Sequence, residues 1–464
     1  MKLSKGIIQV IIANIINLII SIGNGFFLPK YLSVESYADY KIFILYISYV
    51  GILHLGYVDG VYIKYGGKAI DAIKTEELEF EKKVLALFQI IISVPIILFS
   101  LFLDDTNLLF AAISILPMNM LYFFKFVYQA TGEFKKYRYI TNLSTGLVFI
   151  LNLSFLFIFK IDNSFYYIIT QVFVYFFVWF SYENKHKSKA IGNRFTFKEM
   201  SQCLKGNIHL GIIIMLGNFM GLWITSIDRW FVKILHSITE FAYYSFAVTM
   251  LKLINVVVTA FSITLYNFFC KKPDEEKIIE LRKIVLVAGA FIIALIFPID
   301  FIIQIYLEKY IYAIPIIRLL FLAQFILIGI NAIYLNLYKA SNLQKKYLIQ
   351  MLVTTIIAFV SNFIMRYLWR DNIAAYAAAT IVTAFIWLIL CQADLPQYKF
   401  SKKEWIFIFL TMLVYCISEY FNVWLGMLIY IVSVIMETFI LFPKDTKLVI
   451  KLAKEMLNAK EREL

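Results

Sequence analysis

The chain is short of charge. Only 16% of its 464 residues are Asp, Glu, Lys or Arg, where a soluble globular protein carries about a quarter. A water-facing shell over a core of this size cannot be built from so few. Acidic residues are scarcer still, 31 against 44 basic ones. Four scattered histidines offer no His-based metal site, and Cys203, Cys270, Cys391 and Cys416 show neither paired nor metal-type spacing. Long polar loops are missing as well. The longest outer loop runs from about Pro29 to Asp39, which leaves no place for the outer domain that a membrane glycosyltransferase or polysaccharide polymerase needs. The net charge of +13 comes without a Walker loop, zinc spacing or RNA-binding signature, so it does not point to nucleic acid.

What is present is apolar. Hydrophobic residues make up 61% of the chain, the mean hydropathy is +0.78, and the apolar residues fall in runs of about 20, the length that crosses a bilayer as a helix. Fourteen such runs are readable, from 7–28 to 425–442. The expected fold class is therefore an all-α polytopic membrane protein with about fourteen transmembrane helices. The first run reads as an uncleaved span. Lysine and arginine gather in alternate connections, including Lys64, Lys68, Lys82, Lys125, Lys135 and Lys136 in the first half and Lys271, Arg282, Lys345 and Lys346 in the second. That bias places both termini in the cytoplasm. The basic tail 444–464 reads as an amphipathic helix held by anionic membrane lipids.

Two segments repeat. Tyr128-Gln-Ala-Thr-Gly-Glu-Phe-Lys-Lys-Tyr137 matches Tyr338-Lys-Ala-Ser-Asn-Leu-Gln-Lys-Lys-Tyr347, and Glu35-Ser-Tyr-Ala-Asp-Tyr40 matches Thr239-Glu-Phe-Ala-Tyr-Tyr244. Both matches equate spans 1–6 with spans 7–12. Six is even, so the halves keep the same orientation across the membrane. The expected domains are a first six-helix lobe (1–205), a second (206–395), and an appended helix hairpin with the basic tail (396–464). Two parallel six-helix lobes around a central cavity are a transporter architecture, not an enzyme's.

The candidate cavity residues are polar groups at depths where charge costs about 2.5–3.5 kcal/mol on insertion scales. Asp228 and Arg229 close the seventh span. The eighth carries Ser245, Thr249, Lys252, Asn255, Thr259 and Ser262 on one helical face. Asn14, Asn17, Ser21 and Asn24 line one face of the first span. Lys64 ends the second span, where it serves equally as a cytoplasmic anchor. Asp59 is expected to balance it. Arg318, in the tenth span, is divided between the cavity and helix pairing. Cations in such a cavity suit an anionic cargo, phosphate being the commonest, and Tyr, Asn, Ser and Thr suit sugar hydroxyls.

The stretches LPKYLSVESYADYKIF, LGYVDGVYIKYGG and SIDRWFVKILHSITEFAYYSFAVTMLKL resemble the MOP superfamily, and within it the Wzx-type flippases of O-antigen and capsular polysaccharide synthesis. The likeness covers about residues 5–395 and implies a MATE-like fold. It also implies translocation of an undecaprenyl-diphosphate-linked oligosaccharide across the bacterial inner membrane by alternating access. Asp228, Arg229 and Lys252 are the positions the motif carries over; no covalent chemistry or cofactor is implied. Proton or sodium coupling stays open, as does work beside a polysaccharide polymerase and a chain-length regulator. A lipid II flippase is a close cousin. A MATE-type multidrug or metabolite exporter is the alternative, and it would want a buried carboxylate, for which Asp59 and Asp300 are the candidates.

Overall fold

The structure is a computed structural model that describes residues 19–20, 22–185, 196–271, 273–341 and 343–443. Asn14, Asn17, Ser21 and the tail 444–464 lie outside the described residues, as does the side chain of Thr259. Among the described residues the regular structure is helical throughout. A bilayer imposes this, because a backbone without water must bond to itself. Ten of the helices are long and apolar enough to cross a membrane, or eleven if a bent pair counts as one span.

The chain forms two compact units, Met1–Leu222 and Trp223–Leu464. The division falls near the end of one continuous helix, Phe197–Ile224, and so later than the expected boundary at 205. The first unit holds α1 (Val34–Ile47), α2 (Tyr57–Tyr65), α3 (Thr75–Phe102), α4 (Thr106–Ala130), α5 (Phe134–Phe157), α6 (Ser164–Lys185) and most of α7 (Phe197–Ile224). The second holds α8 (Ile227–Leu235), α9 (Ile238–Phe269), α10 (Glu275–Ile293), α11 (Ile296–Tyr306), α12 (Ile314–Gly329), α13 (Leu335–Ala340), α14 (Gln344–Leu368), α15 (Ala374–Asp394), α16 (Lys402–Ser418) and α17 (Val423–Leu441).

The repeated sequences fold alike. After α4 the N–H groups of Thr131 and Glu133 donate to the carbonyls of Val127 and Tyr128, at 3.0 and 2.8 Å. After α13 those of Ser341 and Leu343 donate to Leu337 and Tyr338, both at 2.9 Å. These backward bonds recover helix-end carbonyls that would otherwise lack donors. The second match begins alike too. The Ser33 hydroxyl accepts from the N–H of Ser36 at the start of α1, and Ser237 does the same with Glu240 at the start of α9. Glu240 returns the bond to the Ser237 N–H, completing a capping box. The HSITE turn is thus a helix start written in sequence.

Between α1 and α2 the span breaks and bends by 57°. Leu55 and Gly56 take left-handed backbone at φ 50° and 84°, which stops one helix and starts the next. Beyond the bend, Gly56 and Gly60 face Gly211 of α7 so closely that a Cβ on Gly60 would sit 2.0 Å from the Asn207 carbonyl oxygen. Small residues four apart let helix backbones touch in a membrane.

The C-terminal hairpin is built into the second unit, not appended to it. The Tyr415 hydroxyl donates to the Arg318 carbonyl at 3.1 Å and that of Tyr430 to the Ala290 carbonyl at 2.9 Å. Arg282 and Glu404, both fully buried, join the start of α16 to α10.

Candidate anion-binding site

Two of the expected site residues, Asp228 and Arg229, open α8, and a third, Lys252, stands midway along α9. Asp228 enters α8 in its first turn, where a carboxylate suits the helix dipole. It is 5% exposed and fully engaged: one oxygen accepts from the Arg229 backbone N–H at 2.7 Å, the other from the Tyr244 hydroxyl at 2.7 Å. The carboxylate therefore serves to fix the α8–α9 turn. Arg229, also buried, keeps an Nε with no hydrogen-bond partner, and an unpaired buried donor costs about 1–3 kcal/mol. Lys252, one of the exposed positions on α9, lies near enough for the two cations to repel one another. Asp228 offsets part of the Arg229 charge, and the remaining positive field, with an unused N–H, is one that an anion would stabilise.

The opposite face of α8 is apolar. Ile227, Trp230, Phe231 and Ile234 recur at helical spacing. With Trp223, Phe359, Phe363 and Arg366 they line a groove of about 520 Å³. One short helix thus carries a cation on one side and a greasy channel on the other.

The polar stripe of α9 divides. Lys252 is exposed, whereas Asn255 accepts a 2.7 Å bond from the Gln324 amide of α12. Ser262 donates to the Asn331 carbonyl at 3.2 Å and accepts from Asn336 at 2.8 Å. There the tenth span makes a π turn over Ile330–Tyr334, whose displaced backbone the Ser262 and Asn336 side chains help satisfy. This half of the stripe joins helices.

Other expected residues are structural. Lys64 bonds Glu77 and Glu81 at 2.6 Å each. Glu81 in turn accepts from the Tyr65 hydroxyl at 2.8 Å and is fully buried. Lys64 is therefore paired with two carboxylates. Asp59 does not balance it; its carboxylate lies 3.8 Å from His54. Arg318 pairs with Asp300 at 2.6 Å and lies 3.8 Å from Glu419. Asp300 also accepts from Gln304 at 2.6 Å. That decides Arg318 in favour of helix pairing and removes Asp300 as a free carboxylate. These partners stand on neighbouring turns and helices that spacing alone does not bring together.

This fold is shared with solved transporters. The lipid II flippase MurJ in an inward closed conformation superposes with a TM-score of 0.68 at 15% identity, covering 94% of this chain and 98% of that one. An inward-facing multidrug resistance MATE family transporter of the MOP superfamily gives 0.54 at 14% identity over 83% and 95%. The MATE multidrug transporter DinF-BH, in complex with R6G, gives 0.53 at 15% over 86% and 97%. No protein-family model matches the sequence, and no curated protein matches it. The chain has the fold common to these three transporters.

Proposed function

We propose that this protein is a flippase that carries an undecaprenyl-diphosphate-linked oligosaccharide from the cytoplasmic to the outer leaflet of a bacterial inner membrane. It works by alternating access and supplies O-antigen or capsule assembly. The observation that carries this reading is the two-faced α8, with Arg229 beside Lys252 on one side and the apolar groove on the other. Diphosphate needs cations and a polyprenyl chain needs grease; a lipid-linked anion needs both at once. The MATE-type reading wants an uncommitted buried carboxylate; of its two candidates Asp300 is engaged by Arg318 and Gln304, while Asp59, buried with only His54 at 3.8 Å, is the one left to it.

The test is deletion of the gene, followed by mass spectrometry of lipid-linked oligosaccharides in intact spheroplasts, with and without a glycosidase that cannot cross the membrane. Complete repeat units should accumulate and stay protected. Wild type should clear them. The double variant Arg229→Met with Lys252→Met, at equal protein level, should clear them roughly tenfold more slowly, about the worth of one charge-assisted hydrogen bond. Truncated units would indicate a transferase and digestible single units a polymerase. An unchanged lipid pool would leave the exporter reading and end this one.

A further inference from the structure

The first unit contains a second cationic place that the α8–α9 site does not use. A cavity of about 260 Å³ opens among α1, α4, α5 and α6. Lys125 of α4 lines it. Three other lysines of the first unit hold carboxylates. Lys64 has Glu77 and Glu81, Lys82 has Glu79 and Glu183 at 2.8 and 2.6 Å, and Lys136 has Glu133 at 3.4 Å. Among the described residues no carboxylate comes within 4 Å of Lys125, and its ammonium lies over the face of the Tyr122 ring, 5.7 Å from the centroid. An ammonium inside a membrane helix without a counter-charge is expensive and marks a functional position.

The rest of the lining says what the cation awaits. The Tyr40 hydroxyl donates to Gln171 at 3.3 Å, and the Gln171 amide donates to Tyr175 at 2.8 Å. That chain leaves the Tyr175 O–H and the second amide hydrogen of Gln171 for a ligand. Ser144, bonded to its own helix at 2.9 Å, can still accept, and Asn24 adds an amide at the edge. Hydroxyls and amides beside aromatic faces match a sugar ring. The volume lies below the roughly 300–1,000 Å³ of drug-sized pockets, so one ring fits and a chain of several does not. The single lysine distinguishes among anions. One ammonium balances the single negative charge of a sugar carboxylate and leaves a doubly charged phosphate only half neutralised.

We propose that this cavity binds one acidic monosaccharide unit, its carboxylate on Lys125 and its hydroxyls on Gln171, Tyr175 and Ser144. The inference deepens the flippase reading, on which it rests for the source of the sugar: the glycan would contain a uronic acid or a similar residue, read in the first unit.

The purified full-length protein in detergent can be probed by saturation-transfer NMR with methyl glucuronide, methyl glucoside and inorganic phosphate. The glucuronide should bind at millimolar concentration and the glucoside at least tenfold more weakly. Lys125→Met should abolish that preference with an unchanged melting curve, and Lys125→Arg should keep it. Should Lys125→Met fail to fold, the preference of the wild-type protein between the two glycosides decides the matter. Equal binding of the two, binding of neither, or displacement of the glucuronide by equimolar phosphate overturns the proposal. Because the probes need no translocation, loss of binding with intact transport refutes the pocket alone. Binding without any transport phenotype refutes the flippase reading alone.

Discussion

Gly211→Ala is expected to leave almost no monodisperse protein on size-exclusion chromatography in detergent, and Gly60→Ala to do the same. A Cβ on Gly211 would stand 2.0 Å from the Gly56 carbonyl oxygen and 2.3 Å from the Gly60 nitrogen; one on Gly60 would stand 2.0 Å from the Asn207 oxygen. All these neighbours are backbone, so no rotamer change relieves the overlap and α2 must move away from α7. Overpacking ordinarily costs about 1–3 kcal/mol. Here the movement would also strain the Asn207–Glu81 bond of 3.4 Å and the Tyr57–Glu81 bond of 2.8 Å, which places the loss at or beyond the top of that range. Gly206→Ala supplies the control on the same helix. Nothing lies within 4 Å of its Cβ position, and alanine exceeds glycine in helix propensity by about 1 kcal/mol. It should be neutral or stabilising. If Gly211→Ala behaves like Gly206→Ala, the close crossing is wrong.

That crossing shows what a sequence of this kind conceals. The spans are legible because every membrane helix must be an apolar run of about 20 residues, and the Ser237–Glu240 cap is legible because its two halves sit three residues apart. The matched turns after α4 and α13 are legible for the same reason: a local pattern encodes a local bond. Partners on separate helices leave no such trace. Lys64 and Lys125 are both lysines near the end of an apolar run, yet Lys64 meets Glu77 and Glu81 while Lys125 meets the face of a tyrosine. Read as positive-inside anchors, the two were indistinguishable. The stripe on α9 was visible as a face, but its division into exposed Lys252 and bonded Asn255 depends on Gln324, which is brought there by tertiary packing alone.

Arg282→Met should loosen the C-terminal hairpin by about 3–5 kcal/mol, the cost of stranding one member of a buried ion pair. The pair is unusually complete. Arg282 donates from Nε and Nη2 to the two Glu404 oxygens at 2.8 and 2.9 Å, and from Nη1 to the Tyr398 carbonyl. Its guanidinium lies 4.8 Å from the Phe400 ring centroid. Glu404 also accepts from the Ser401 N–H and hydroxyl at 2.8 Å each, so one carboxylate caps α16 and ties it to α10. Removing the arginine leaves that carboxylate 0% exposed with only its cap bonds. Arg282→Lys keeps the charge but loses the fork, and should fall between. The double variant Arg282→Met with Glu404→Gln removes both charges and keeps an acceptor for the cap. It should recover most of the stability, because replacing a whole buried pair is often close to neutral. Thermal unfolding in detergent, joined to protease cleavage within 396–404, measures wild type, Arg282→Met, Glu404→Gln and the double variant as a cycle, with Arg282→Lys beside it. A coupling energy under about 1 kcal/mol would mean that the hairpin is held by helix packing and hydroxyl-to-carbonyl bonds alone, and that the ion pair adds nothing to the docking of α16.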